Sequence, residues 1–206
     1  MNKSFVKMNV NGKDVEVAID DRESLYDTLR KELRLTSVKK GCEVGECGAC
    51  SVLIEGKCVD TCIYLTKWAE GKHIVTVEGL KDENGDLTDV QKQFIKEAAV
   101  QCGFCTPGFI LKAVEIVGDN KPYTREEIKK LISGNLCRCT GYMNIVIAIE
   151  HAIYNNFKKR VKDYKISENY LKYLDAGEEA KNKMTNDVLE NQQSHNAKIV
   201  KEIEKN

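Results

Sequence analysis

Apolar and polar residues alternate along "SFVKMNV" and again along "DVEVAID", with Asn11-Gly12 between the two runs. A period of two on either side of Asn-Gly predicts a β-hairpin closed by a tight turn. The period then lengthens. In "DRESLYDTLRKEL", Leu25, Leu29 and Leu33 fall on one helical face, and Ser24 is placed to cap it. "SVLIEGKCV" reads as two short strands about a Glu55-Gly56 turn, and "HIVTV" as a further β-branched strand. Two strands, one helix, an irregular loop over 41–50 and more strands predict an α+β unit, a small mixed sheet packed on a helix in the β-grasp, ferredoxin-like manner.

Beyond the polar stretch "EGLKDENGDLTD" the helical period takes over. "DVQKQFIKEAAVQ", "PGFILKAVEIV", "TREEIKKLIS" and "YMNIVIAIEHAIYNNF" are four predicted helices, which together make a four-helix bundle. Thr106 ahead of Pro107 reads as a cap before a first-turn proline. Thr124 with Glu127 reads as a capping box, and Gly134 as the stop of the third helix. From about Val161 the chain is dominated by Lys, Glu, Asn and Asp, with sparse apolar residues such as Leu171, Leu174, Val188, Leu189 and Ile203. Such a tail cannot build a core alone. It is expected to be a charged, helical extension, either solvated or docked by its apolar face on a partner. The predicted domains are therefore 1–79, 87–160 and an extension over 161–206.

Lys plus Arg and Asp plus Glu both number 32, so the formal net charge is zero and nothing points to a nucleic-acid or membrane-surface partner. The N-terminal stretch has no apolar core of secretory length, and no run approaches the roughly 18 apolar residues of a membrane span. A soluble, cytoplasmic protein is expected. That compartment keeps thiols reduced, so the nine cysteines point to metal or redox chemistry rather than to disulfides.

Those cysteines fall into two sets. Cys42, Cys47 and Cys50 have the spacing C-x4-C-x2-C, with Cys62 following, a strong signal for a plant-type [2Fe-2S] cluster. Four thiolates must converge on two irons, so the chain has to wrap tightly, and Gly41, Gly45 and Gly48 supply the freedom. Zinc fits this set less well, because its usual knuckles are two C-x2-4-C pairs. Cys58, on a predicted strand, reads as a small apolar residue and not as a ligand. The second set pairs Cys102 and Cys105 in "QCGFCTPG" with Cys137 and Cys139 in "LCRCTGY". Spacing alone leaves this set open between zinc and iron–sulfur. Each pair precedes a predicted helix, whose N-terminus stabilises negative charge. His73, His151 and His195 are scattered, with no partner spacing for a triad or a mononuclear metal, and read as ordinary surface or packing residues.

"GCEVGECGAC" with Cys62, followed by "QCGFCTPG" and "CRCTGY", closely resembles the small iron–sulfur subunit of the molybdenum hydroxylases, the xanthine dehydrogenase and aldehyde oxidoreductase family, over residues 3–158. The resemblance implies one [2Fe-2S] cluster on Cys42, Cys47, Cys50 and Cys62, and a second, nearer the molybdenum cofactor, on Cys102, Cys105, Cys137 and Cys139. It places Gln101 near the pterin. It further implies a division of labour: a molybdopterin-binding large subunit oxidises the substrate, and electrons leave through both clusters towards FAD on a medium subunit. This chain would carry no catalytic acid, base or nucleophile. A purine such as xanthine is the first expectation for the substrate. Nicotinate, aldehydes, carbon monoxide or aromatic acyl thioesters are alternatives, as is a free-standing ferredoxin-like carrier. The family's small subunits stop soon after the last bundle helix, so the extension and Cys58 are departures from the pattern.

Overall fold

The computed structural model describes residues 3–82 and 84–158, all within one compact unit spanning Met1–Lys162. β1 (Lys3–Val10) and β2 (Lys13–Asp20) pair antiparallel, from Lys3 opposite Asp20 to Val10 opposite Lys13. Asn11 and Gly12 have positive φ, 53° and 81°, which matches a two-residue turn to the twist of the strands. One face of the hairpin buries Val6, Met8, Val10, Val17 and Ile19, while Phe5 on the other face stays exposed.

β3 (Ser51–Ile54) and β4 (Lys57–Asp60) form the second hairpin about Glu55 and Gly56. β5 (His73–Val75) lies between the hairpins, parallel to β1 and antiparallel to β3, so the sheet order is β2-β1-β5-β3-β4. The "HIVTV" strand is shorter than its β-branched run. Asn11 explains the stop: its carboxamide oxygen accepts from the Thr76 N–H at 2.9 Å and its amide donates to the Thr76 hydroxyl at 3.0 Å, and the chain then turns through Val77–Gly79.

The expected helix over 21–33 is reduced to α1 (Leu25–Asp27) and one wider, π-helical turn over Thr28–Glu32, in which Leu33 N–H reaches back five residues to the Thr28 carbonyl. Ser24 caps it as predicted, accepting from the Asp27 N–H at 3.2 Å. Leu25 and Leu29 are fully buried against the sheet, and Leu33 is only partly so.

Four helices follow: α2 (Asp89–Lys96), α3 (Thr106–Gly118), α4 (Arg125–Leu131) and α5 (Met143–Lys158). α2, α3 and α4 each pack on α5, and Phe94, Phe109, Ile116, Ile128, Ile145, Ile149 and Ile153 fill the space between them. α3 also packs on β3 and β4. Lys57 on β4 reinforces that contact through Glu115 (3.7 Å) and Asp119 (3.4 Å). Capping boxes start α2 (Thr88, Gln91) and α4 (Thr124, Glu127).

Three helix ends differ from expectation. α2 stops short of Gln101 because Ala98 adopts positive φ (49°). Thr106 is already helical and Cys105 precedes it, so no side chain caps α3 and the first-turn Pro107 stands without one. α4 ends at Leu131 through 130s turns that place Gly134 too late, and not at positive φ, to be its stop. Among the described residues no helix is long and apolar enough to cross a membrane. The expected extension over 161–206, with His195, lies outside the described residues.

Candidate metal centres

The first cysteine set lies where the sheet meets α1. Cys42 and Cys47 sit in the irregular loop, Cys50 at the edge of β3, and Cys62 just after β4. Leu25 N–H bonds the Tyr64 carbonyl (2.7 Å), Tyr26 N–H the Thr61 carbonyl (3.2 Å), and the Thr61 hydroxyl the Cys50 carbonyl (2.8 Å). The start of α1 thus holds the segment carrying Cys62 against the one carrying Cys50. Arg30 fixes the loop's entry by donating to the carbonyls of Thr36 (2.6 Å) and Val38 (2.8 Å).

Inside the loop, Gly45 and Gly48 adopt positive φ, 74° and 64°, as the sequence led one to expect. Gly41 does not, but a Cβ there would lie 2.9 Å from Cys47 Sγ, so its role is close approach. Glu43, at φ 65°, is a third left-handed position that composition gave no means to find.

Backbone donors point at the sulfurs. Val44 and Glu46 N–H groups lie 3.5 and 3.3 Å from Cys42 Sγ and hold that thiol down at about 7. Burial pushes Cys50 up to about 12 and raises Cys47 also. Cys42 and Cys47 act electrostatically on each other, and Cys62 acts in the same way on Cys50.

The second set is held by helix starts. Cys102 and Cys105 precede α3, and Cys137 and Cys139 lie on the segment between α4 and α5. Cys139 Sγ is 3.5 Å from Cys102 Sγ, and Cys105 and Cys137 act electrostatically on each other. Burial pushes Cys105 up to about 12. Burial acts the same way on Cys137, but the Thr140 hydroxyl (3.1 Å) and N–H (3.4 Å) on its sulfur outweigh it and leave the thiol lowered. Tyr142 completes the loop: its hydroxyl accepts from Cys137 N–H at 3.0 Å, and its ring stands edge-on to Phe109. Neither Thr140 nor Tyr142 was foreseen, although both stand in the quoted "CRCTGY" motif.

Both sites therefore gather thiols in pairs. Among the described residues, no three of His, Cys, Asp or Glu converge on one point as a single ion would need. Two pairs of thiolates suit two irons, each taking two protein sulfurs, better than a tetrahedral zinc taking four. The donor sets at both sites fit a [2Fe-2S] cluster in that respect.

The remaining candidates are apart from these sites. Cys58 on β4 is half-buried beside Glu115 and Lys112, where burial pushes its thiol up to about 12, in keeping with a packing role. His73 is exposed on Glu55, and His151 is buried with Nδ1 2.9 Å from Glu97. Gln101 is exposed, immediately before Cys102.

Two tandem [2Fe-2S] domains define an electron-transfer protein, and comparison with known proteins bears that out. A 2Fe-2S iron-sulfur cluster binding domain matches residues 8–74, and a [2Fe-2S] binding domain matches residues 76–150. The small subunit of nicotine 6-hydroxylase from Paenarthrobacter nicotinovorans is 46% identical over 144 residues, covering 70% of this chain and 86% of that protein. The small FeS subunit of nicotinate dehydrogenase from Eubacterium barkeri is 44% identical over 153 residues, covering 74% and 97% respectively. In the crystal structure of quinoline 2-oxidoreductase from Pseudomonas putida 86, a chain superposes with a TM-score of 0.72 at 39% identity, covering 77% of this chain and 98% of that one. The chain belongs to the small iron–sulfur subunits of the xanthine dehydrogenase and aldehyde oxidoreductase family of molybdenum hydroxylases.

Proposed function

We propose that this chain is the electron-transfer subunit of a multi-subunit cytoplasmic molybdenum hydroxylase, set between a molybdopterin-binding large subunit and an FAD-binding medium subunit. Residues 1–79 hold one [2Fe-2S] cluster on Cys42, Cys47, Cys50 and Cys62. Residues 87–160, as a four-helix bundle, hold a second on Cys102, Cys105, Cys137 and Cys139. The observation that carries this reading is the gathering of eight thiols as four pairs at two sites in one compact unit.

The clusters, when bound, supply reversible one-electron exchange. The chain's own groups set the conditions for it. N–H donors from Val44, Glu46 and Thr140 stabilise negative charge on Cys42 and Cys137. Burial of Cys50 and Cys137 withholds water from one side of each site. Exposed apolar side chains border both sites, Val44 and Ile63 at the first and Phe104, Leu136 and Met143 at the second, which supports a partner on each side. Gln101, exposed beside Cys102, is the residue that would meet the pterin on the large subunit.

The substrate of the complex is a purine such as xanthine on the first reading. Relatives named for nicotine (46% identical) and nicotinate (44%), beside the 46% of the xanthine dehydrogenase subunit of Escherichia coli O157:H7, support a pyridine-type ring as the second. Iron and acid-labile sulfide per chain, with electron paramagnetic resonance of the anaerobically purified complex, test the assignment. Four of each and two distinct signals are expected. Two irons with zinc would refute the second cluster, and a complex lacking molybdopterin would refute the partner.

A further inference from the structure

Two consecutive backbone carbonyls of the first cysteine loop accept from two consecutive residues of the second. Leu136, the residue before Cys137, donates its N–H to the Cys47 carbonyl at 3.0 Å. Asn135, 6% exposed, donates its side-chain amide to the Gly48 carbonyl at 3.2 Å. Ser51 fixes that carbonyl from the other side, its hydroxyl at 2.9 Å. There is no room in the contact for a side chain at Gly48 or Gly108. A Cβ on Gly48 would lie 2.3 Å from Asn135 Nδ2, and a Cβ on Gly108 would lie 2.1 Å from the Gly48 oxygen.

We propose that Asn135 is a positioning residue for electron exchange between the two clusters: its amide, clasped to Gly48, keeps Leu136 N–H on the Cys47 carbonyl and so fixes the spacing of the two sites. The inference rests on the two-cluster assignment above. Cys47 and Cys137 are candidate ligands of different clusters, and the Leu136 hydrogen bond makes the connection between them continuous. From Cys47 the path runs through its own carbonyl, across one hydrogen bond and along the backbone to Cys137. Tunnelling falls steeply with distance and faster across gaps than along bonded atoms. In the exchange one cluster is oxidised by one electron and the other reduced by one, with no bond broken and no proton transferred. The Asn135 amide is spent on the Gly48 carbonyl, so losing it loosens the spacing while leaving eight cysteines in place.

The test uses the full complex carrying both clusters, reduced in steps with dithionite. Readouts are iron per chain, the line positions of each cluster when reduced singly, the magnetic splitting between the two when both are reduced, and the rate of electron equilibration between them. For Asn135→Ala, iron and single-cluster line positions should match the parent, while the splitting shrinks and equilibration slows several-fold. Gly108→Ala, which pushes the Gly48 carbonyl away with Asn135 intact, should give the same pattern. In the unaltered complex, hydrogen exchange at the Leu136 amide should be slow. Unchanged splitting and rate in Asn135→Ala, or fast exchange at Leu136, would overturn the proposal. So would loss of helical-domain iron in Asn135→Ala, because Asn135 would then be holding a ligand loop and not a spacing. Fewer than four irons in the parent would instead sink the two-cluster reading itself.

Discussion

Arg125, the first residue of α4, donates both Nε (2.8 Å) and Nη2 (2.7 Å) to Glu150 Oε2 on α5. The Glu150 side chain is 5% exposed and that of Arg125 27%. The segment bearing Cys137 and Cys139 runs from α4 to α5, so this pair braces the two helices that carry the second site. Arg125→Met should leave a buried carboxylate without its partner. Breaking a buried pair from one side costs about 3–5 kcal/mol, and partial exposure of the arginine argues for the low end, about 3 kcal/mol. In a domain of this size that lowers the melting temperature by about 6–12 °C. Replacing both residues, Arg125→Met with Glu150→Leu, should recover stability to within about 1 kcal/mol of the parent, since no charge is left stranded. Thermal unfolding followed by circular dichroism, with visible absorption reporting cluster loss, measures both variants. If Arg125→Met melted within about 2 °C of the parent, or if the double variant were the less stable of the two, the brace would not exist as described.

Cys137→Ser should halve the iron content and erase one of two resonance signals while the other keeps its line positions. Both signals surviving would remove Cys137 from the ligand set. Cys58→Ala should leave iron unchanged, since that thiol packs between β4 and α3, and a fall in iron by analysis would make it a ligand. Glu78 is pushed up by burial, but the Ser37 hydroxyl, the Thr76 hydroxyl and the Ser37 N–H outweigh this and hold its carboxyl below the ordinary 4.5. A depressed carboxylate gives stability that is present above its unfolded value and lost as pH falls through its folded one. Glu78→Gln should therefore destabilise the protein at pH 7 and flatten the acid limb of a denaturation profile below about pH 4.5. An acid limb identical to the parent's would refute it.

The hairpins were legible because Asn11-Gly12 and Glu55-Gly56 carry their turn geometry in short stretches of local sequence. The grouping of the cysteines into two sets was legible because spacing is a local property, although spacing alone left the second set open between zinc and iron–sulfur. The Ser24 cap and the Thr124–Glu127 capping box were legible for the same reason, but other element ends were not, since more than local sequence decided them. Asn11 takes the Thr76 donor and stops β5 after three residues, and Ala98 bends left-handed although nothing in "EAAVQ" asks for it. Gly134 looked like a helix stop because glycine usually is one. In the structure it sits beside the Asn135 clasp, where its carbonyl oxygen would lie 2.8 Å from any Cβ on Gly48. The hydrogen bond between Cys47 and Leu136 spans 89 positions, and no period or motif announces it.

The parallel pairing of β1 with β5 joins Asn9 to His73, and the four thiols of the first set all lie inside the loop it closes. On the ribosome, Cys50 emerges 25 residues ahead of Val75, the last residue of β5. At ordinary elongation rates that interval is about 1–5 s. For that time the nascent chain offers uncovered sulfurs to whatever metals and oxidants surround it, before the strand that completes their shelter has been made.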